Sequence, residues 1–181
     1  MIFRLGFLLA AMSIACCCFA QGDASPRKKI ERRPVSTDSR PVTEAEASAT
    51  FDRVHGLLKT ILHVSLSPMP IKSKPTTPVT KTEINAELMR IYKAVEPVFV
   101  ISPKRVPVEV SRIKAESPTE KSTLVVLIEK GFIGNYGPLA TGGSKTVTIA
   151  EFGDSVGFFL SRLGECTYTP STKWTPFLHG N

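Results

Sequence analysis

Four glutamates, Glu46, Glu83, Glu120 and Glu151, each stand three residues after a hydroxyl, on Thr43, Thr80, Ser117 and Thr148 respectively. Carboxylates in such number could supply the acid and base of a hydrolase, which needs at least one of them in a cleft with a perturbed pKa. The spacing points to a different chemistry. A Thr or Ser at the helix N-cap and a Glu at the third helical position close a capping box, in which the hydroxyl accepts from the Glu amide and the carboxylate accepts from the cap's own amide. Each pair opens a segment with apolar residues at helical spacing, so all eight residues are assigned as structural caps, worth about 0.5–2 kcal/mol per capping hydroxyl. Three of the starts share one sentence, Val-Thr-x-x-Glu, at Val42, Val79 and Val147. No catalytic residue is assigned.

Other reactive types are scattered. His55 and His63 lie eight residues apart, about two helical turns, which is too far for an i, i+4 metal clamp, and His179 is remote from both; no metal and no cofactor are expected. The stretch 137–146, GPLATGGSKT, resembles a phosphate-cradling loop only superficially, because Gly143 and Ser144 separate Gly142 from Lys145. It reads as a surface loop whose glycines serve turns.

The elements follow from periodicity. Phe51, Val54, Leu57, Leu58, Ile61 and Leu62 stripe a helix from Thr43 to about Val64, and the prolines at 68, 70, 75 and 78 forbid its continuation. A second helix, from Lys81 to about Val95, faces inward through Ile84, Leu88, Ile91, Tyr92 and Val95, and Pro97 stops it. The β-branched runs at 98–101 and 106–110 leave room for a short β-hairpin over 98–110, against which Pro103 and Pro107 argue. A third helix starts at Ser117, carries Leu124, Val125, Leu127 and Ile128, and ends at Gly131. The last runs from about Thr148 to Leu163 with Phe152, Val156, Phe159, Leu160 and Leu163 inward. Gly153 and Gly157 within it cost about 1 kcal/mol each relative to Ala, which predicts close approach of a neighbouring helix or of the loop 136–139. The fold class is mainly α: two helix-loop-helix units, 43–95 and 117–163, packed as a small bundle because neither could bury its stripe alone. The tail with Pro170, Trp174, Pro176 and Phe177 is too short and Pro-rich for another helix, and its aromatics predict packing on the body.

The 181 residues allow about one domain with appendages. Residues 1–20 read as a secretory signal: Arg4, an uncharged apolar run from Leu5 to Phe19, and small residues that place a cut before Gln21. Ser13, Ile14, Ala15 and Cys16 loosely resemble a lipoprotein signal, which makes lipid anchoring through Cys16 the second route. Either route exports the chain and leaves no transmembrane span after cleavage. Cleavage before Gln21 also removes Cys16, Cys17 and Cys18, so Cys166 has no partner for a disulfide and is read as a small buried hydrophobe. Loss of Arg4 lowers the formal charge from +7 to +6. Residues 21–41, rich in Arg and Lys and poor in large apolar residues, form a disordered basic linker, either a solubilising spacer or an attractor of anionic polymer. Nucleic acid is not expected as a partner, since basic residues are not interleaved with stacking aromatics.

The domain 42–181 resembles a divergent S-layer homology domain, most clearly over 118–165. In Leu127–Leu163, Lys130, Gly131, Phe132 and Ile133 match that family's Gly-containing turn, and Thr148, Ile149, Ala150 and Glu151 match its Thr-Arg-Ala-Glu motif except at the Arg. Thr80, Lys81, Thr82 and Glu83 match it with the positive charge kept. The resemblance implies a non-catalytic anchoring module that binds anionic, often pyruvylated, cell-wall polysaccharide through the motif's cation. Lys81 is accordingly the ligand-binding candidate, whereas Glu44 and Ile149 replace the Arg in the other two copies. The function expected is attachment to anionic cell-wall polymer or assembly with envelope proteins. The alternatives are a small envelope lipoprotein that binds a protein partner without glycan recognition and, third, a small secreted enzyme.

Overall fold

The computed structural model describes residues 39–70 and 74–167; the leader, the linker before residue 39 and the tail after Thr167 lie outside the described residues. Among the described residues five α-helices pack together: α1 Glu44–Leu62, α2 Lys81–Val95, α3 Pro118–Glu129, α4 Pro138–Thr141 and α5 Ile149–Thr167. The chain is mainly helical, and among the described residues there is no sheet.

The helices begin where the hydroxyls stand. Thr43 and Thr80 have extended backbones, and the box is reciprocal at both: Thr43 N donates to Glu46 at 3.1 Å and Thr80 N to Glu83 at 3.0 Å, while Glu46 N and Glu83 N donate back to the hydroxyls. Thr148 N and Glu151 repeat it at 2.9 Å. Ser117 caps α3, but Glu120 does not close the box; its carboxylate accepts instead from Glu116 N at 2.8 Å and from Asn85 Nδ2 at 3.4 Å.

The three Val-Thr segments converge on one hub. Each is a three-residue stretch whose last residue bridges, antiparallel, to the first residue of the next: Thr43 to Pro78, Thr80 to Thr146, and Thr148 back to Pro41. The first helical amides follow the same cycle. Glu44 N donates to Thr77 O at 2.8 Å, Lys81 N to Lys145 O at 2.9 Å and Ile149 N to Arg40 O at 3.1 Å. At the centre Val42 N donates to Val147 O and Val79 N to Val42 O, and all three valines are buried. A helix start leaves its first amides without intrahelical partners, and here each α-helix of the trio hands one of them to its neighbour. The repetition thus produces a pseudo-threefold junction of α1, α2 and α5, which the two-unit description of the chain does not contain.

One core fills the space between the helices. Phe132, directly after the turn at Gly131, sits against Tyr92, Phe159 and Phe99 with ring centroids 5.2, 5.5 and 6.0 Å apart, and Phe51 of α1 meets Phe152 of α5 edge-on at 5.7 Å. Gly131 takes φ 73, the left-handed conformation that ends α3, as its sequence position predicts. His63, at φ 59, ends α1 at Leu62 rather than Val64.

Two expectations are corrected. No hairpin forms over 98–110: between 3-10 turns at Glu96–Val98 and Val110–Arg112 the segment bends at Val100 and Ile101 and pairs with no strand, Val106 N donating to Glu129 O, Val100 N to Cys166 O and Glu109 N to Asn135 Oδ1. Pro103 and Pro107 have no amide to give a ladder, so the β-branched side chains had no strand partner to stack on. Gly153 and Gly157 have no close neighbour either; an added Cβ at each would meet nothing within 4 Å. Their helix-propensity cost is therefore not offset by packing among the described residues, and Gly157→Ala should raise stability by about 0.5–1 kcal/mol in urea unfolding. No change, or destabilisation, would show that the face is occupied.

The hub also titrates. Arg40 grips Glu46 through two hydrogen bonds of 3.0 and 2.6 Å and, with the Thr43 amide and hydroxyl, holds its carboxyl down at about 2, against an ordinary value of 4.5. A depressed carboxylate contributes stability that is present above its unfolded value and is lost as pH falls toward the folded one. The wild-type protein should therefore lose stability more steeply than Glu46→Gln between about pH 4.5 and 2 in denaturant melts; equal slopes would rule out this contribution.

Candidate functional site

The first helical residue of each Val-Thr motif lies against the segment preceding the next motif, so the hub creates three equivalent positions filled by Glu44, Lys81 and Ile149. Only Lys81 among them is a cation. It is 6% exposed, and it holds the loop 142–145 at both ends: its amide donates to Lys145 O, and its Nζ donates to Gly142 O. Burial pushes the Lys81 ammonium's pKa down, opposed by the charges of Glu120, Glu151 and Glu116. An ammonium so placed is compensated by a carbonyl and by surrounding carboxylates rather than left bare.

Gly142 is required at this contact. A Cβ there would lie 2.6 Å from Pro138 O and 2.9 Å from Lys81 Nζ. The stretch that sequence alone reads as a plain surface loop is thus a fastened element: α4 gives it one helical turn, Ala140 O accepts from Lys114 N at 2.8 Å, and Lys145 Nζ reaches Glu116 at 3.2 Å.

These contacts outline a hollow of about 170 Å³ lined by Lys81, Lys114, Glu116, Glu120, Gly143 and Lys145 among others. Lys81 forms its buried floor, and Lys114 and Lys145 are exposed at the mouth. Three ammoniums face two carboxylates, and the N-terminal ends of α2 and α3 border the same hollow. The arrangement can receive a carboxylate or phosphate group of moderate size through the two mouth lysines. Of the residues selected by sequence, the structure brings Lys81 and Glu120 into this hollow and gathers Thr43, Glu46, Thr80, Glu83, Thr148 and Glu151 at the hub around it; Ser117 caps α3 outside the hub. Sequence reasoning missed Lys114, Glu116, Gly142 and Lys145. The signal available was a lysine ending a glycine-rich loop directly before a Val-Thr motif.

Nothing in the hollow pairs a nucleophile with a base. Ser144 Oγ contacts only the amide and hydroxyl of Thr146, and Cys166, away from the hub, is buried with its thiol pKa pushed up by desolvation. His55 Nε2 pairs with Glu87 at 2.8 Å, and Glu87 in turn with Arg90, which ties α1 to α2 and to Ser67. Among the described residues no group of three or more His, Cys, Asp or Glu is placed to hold a metal ion, and no helix is long and apolar enough to cross a membrane. Compared with family models, with curated proteins and with solved structures, the chain has no match in any of the three.

Gly142→Ala should destabilise the protein by about 1–3 kcal/mol, since both the Pro138 carbonyl and the Lys81 ammonium must shift. Gly143→Ala, whose Cβ would meet nothing within 4 Å, is the control. Equal thermal unfolding of the two variants would exclude the close contact.

Proposed function

We propose that the chain is an exported, non-catalytic envelope module that attaches to anionic cell-wall polymer through the hollow between its second and third Val-Thr segments. The observation that carries the reading is the single cation among three equivalent hub positions, Lys81, with Lys114 and Lys145 exposed above it. The S-layer homology resemblance assigns the polymer contact to the cation at that position. Burial changes the division of labour: Lys81 holds the Gly142 loop in place, and the mouth lysines make the direct contact with the polymer's acidic groups. Export rests on the leader at residues 1–20, and the basic linker adds attraction to the same anionic surface.

A protein partner in place of a polymer draws support from a second hollow, of about 230 Å³, lined by Ile133, Pro138, Leu139 and Phe158 with Asp154 among its walls. Its lining is mainly apolar, which suits a side chain rather than an acidic sugar.

Binding of the mature protein to purified acidic wall polysaccharide distinguishes these readings. Lys114→Ala with Lys145→Ala should weaken it roughly 2- to 30-fold, at about 0.2–1 kcal/mol per exposed ion pair, with unchanged thermal stability. Added salt should weaken it further. Lys81→Ala should lower both binding and stability. Equal retention of the wild type and the double variant, or equal binding to a neutral polymer, would remove the polymer reading.

A further inference from the structure

The end of α5 away from the hub carries an uncovered apolar surface. Val98, Val100 and Ile101 are 39%, 59% and 55% exposed, while Phe99 between them turns inward and stacks on Phe132. This run is fixed to the last turn of α5, because Val100 N and Ile101 N both donate to Cys166 O, at 2.9 and 3.0 Å. The patch is therefore held beside the point where the chain leaves the described body at Thr167.

We propose that this patch seats the chain's own segment 168–178, with Trp174, Phe177 and Leu178 covering Val98, Val100 and Ile101. Three observations select that occupant over a separate partner. The segment begins two residues beyond the Cys166 staple, and Trp174, seven residues past Thr167, can reach anywhere within about 25 Å. A tether this short gives an effective concentration on the order of millimolar, which a free partner does not match. The composition also fits. The segment carries four large apolar side chains, Tyr168, Trp174, Phe177 and Leu178, and Pro170 and Pro176 bias it toward an extended path over a surface rather than a helix of its own. Its one charged side chain is Lys173, and acids stand on both sides of the staple, Glu96 two residues before Val98 and Glu165 beside Cys166. The seat lies at the opposite end of α5 from the Lys81 hollow and does not depend on what that hollow binds.

Trp174 is the chain's only tryptophan, so its fluorescence in the full-length mature protein reports this seat directly. The emission should lie at shorter wavelength, and be better shielded from acrylamide, than in the same protein unfolded by denaturant. Val100→Asp with Ile101→Asp should shift it to longer wavelength and increase quenching, with far-UV circular dichroism unchanged, since both side chains face water and their amides are retained. If the aspartates cost helix content, Val100→Ser with Ile101→Ser provides the same comparison. Truncation after Thr167 should increase binding of a hydrophobic dye. The proposal is overturned if neither double variant alters emission, if the wild-type emission equals that in denaturant, or if the blue shift grows with protein concentration, which would make a second copy the occupant.

Discussion

The fold depends on where three helices put their first amides. A helix start exposes donors that water can satisfy at a surface and that cost free energy in an interior. Here α1, α2 and α5 all start beside a buried valine, so part of each start is turned away from water, although the Thr148–Glu151 box stays at the surface. Each start solves the problem in the same three ways: a Thr hydroxyl takes the third helical amide, a Glu carboxylate takes the amide of the Thr, and a carbonyl from the neighbouring segment takes the first helical amide. Because the last of these is cyclic, with Thr77, Lys145 and Arg40 as acceptors, no segment can be withdrawn without orphaning a donor on another. Three helix dipoles also converge with like ends together. The carboxylates of Glu46, Glu83 and Glu151 oppose that accumulation of positive potential, which gives the repeated glutamate a second role beyond hydrogen bonding.

The same cycle determines where a ligand could be held. Every motif places the backbone of its first helical residue against the segment before the next motif, and at Lys81 the side chain reaches that segment too. The junction fixes the place, and the residue type fixes the chemistry: Glu44, Lys81 and Ile149 make three geometrically related sites acidic, basic and apolar. The basic one has the exposed Lys114 and Lys145 beside it and, in Gly142, a residue whose missing Cβ admits its ammonium. Residue type at a single position of the repeat can thus change the charge of a site while the scaffold stays the same.

How much of this was legible in sequence follows from range. The caps at Thr43, Thr80, Ser117 and Thr148 are spacings of three within one segment, and the stripes of α2 and α5 are periodicities within one helix, so both could be read locally. The cyclic bridging pairs residues tens to more than a hundred positions apart, and no local pattern encodes it; the three identical motifs were the only trace. Lys81 was visible as a charge at the right place, but its burial depends on Gly142, sixty-one residues later. The hairpin over 98–110 failed for the converse reason. β-branched composition is a local signal, yet Pro103 and Pro107 had removed donors a ladder needs, helix carbonyls at Glu129 and Cys166 took those of Val100, Ile101 and Val106, and Asn135 Oδ1 took that of Glu109. Glu120 departed from the box because Glu116 N and Asn85 lay within its reach, a competition that spacing alone does not reveal.

The electrostatics of the hollow constrain any anchoring role. Three ammoniums and two carboxylates leave one excess positive charge, and the mouth lysines are exposed, so a single acidic group gains only the modest energy of a screened surface pair. A free small anion would exchange rapidly from such a site. A polymer is different, because it presents the same acidic group many times, and release of one unit leaves the next within reach of the same lysines. Retention then depends on repetition in the ligand rather than on depth in the protein, as linked binding events raise the effective concentration of the next contact. Under the proposed polymer reading, that requirement favours a repeating anionic chain over a monomeric metabolite as the partner of this hollow.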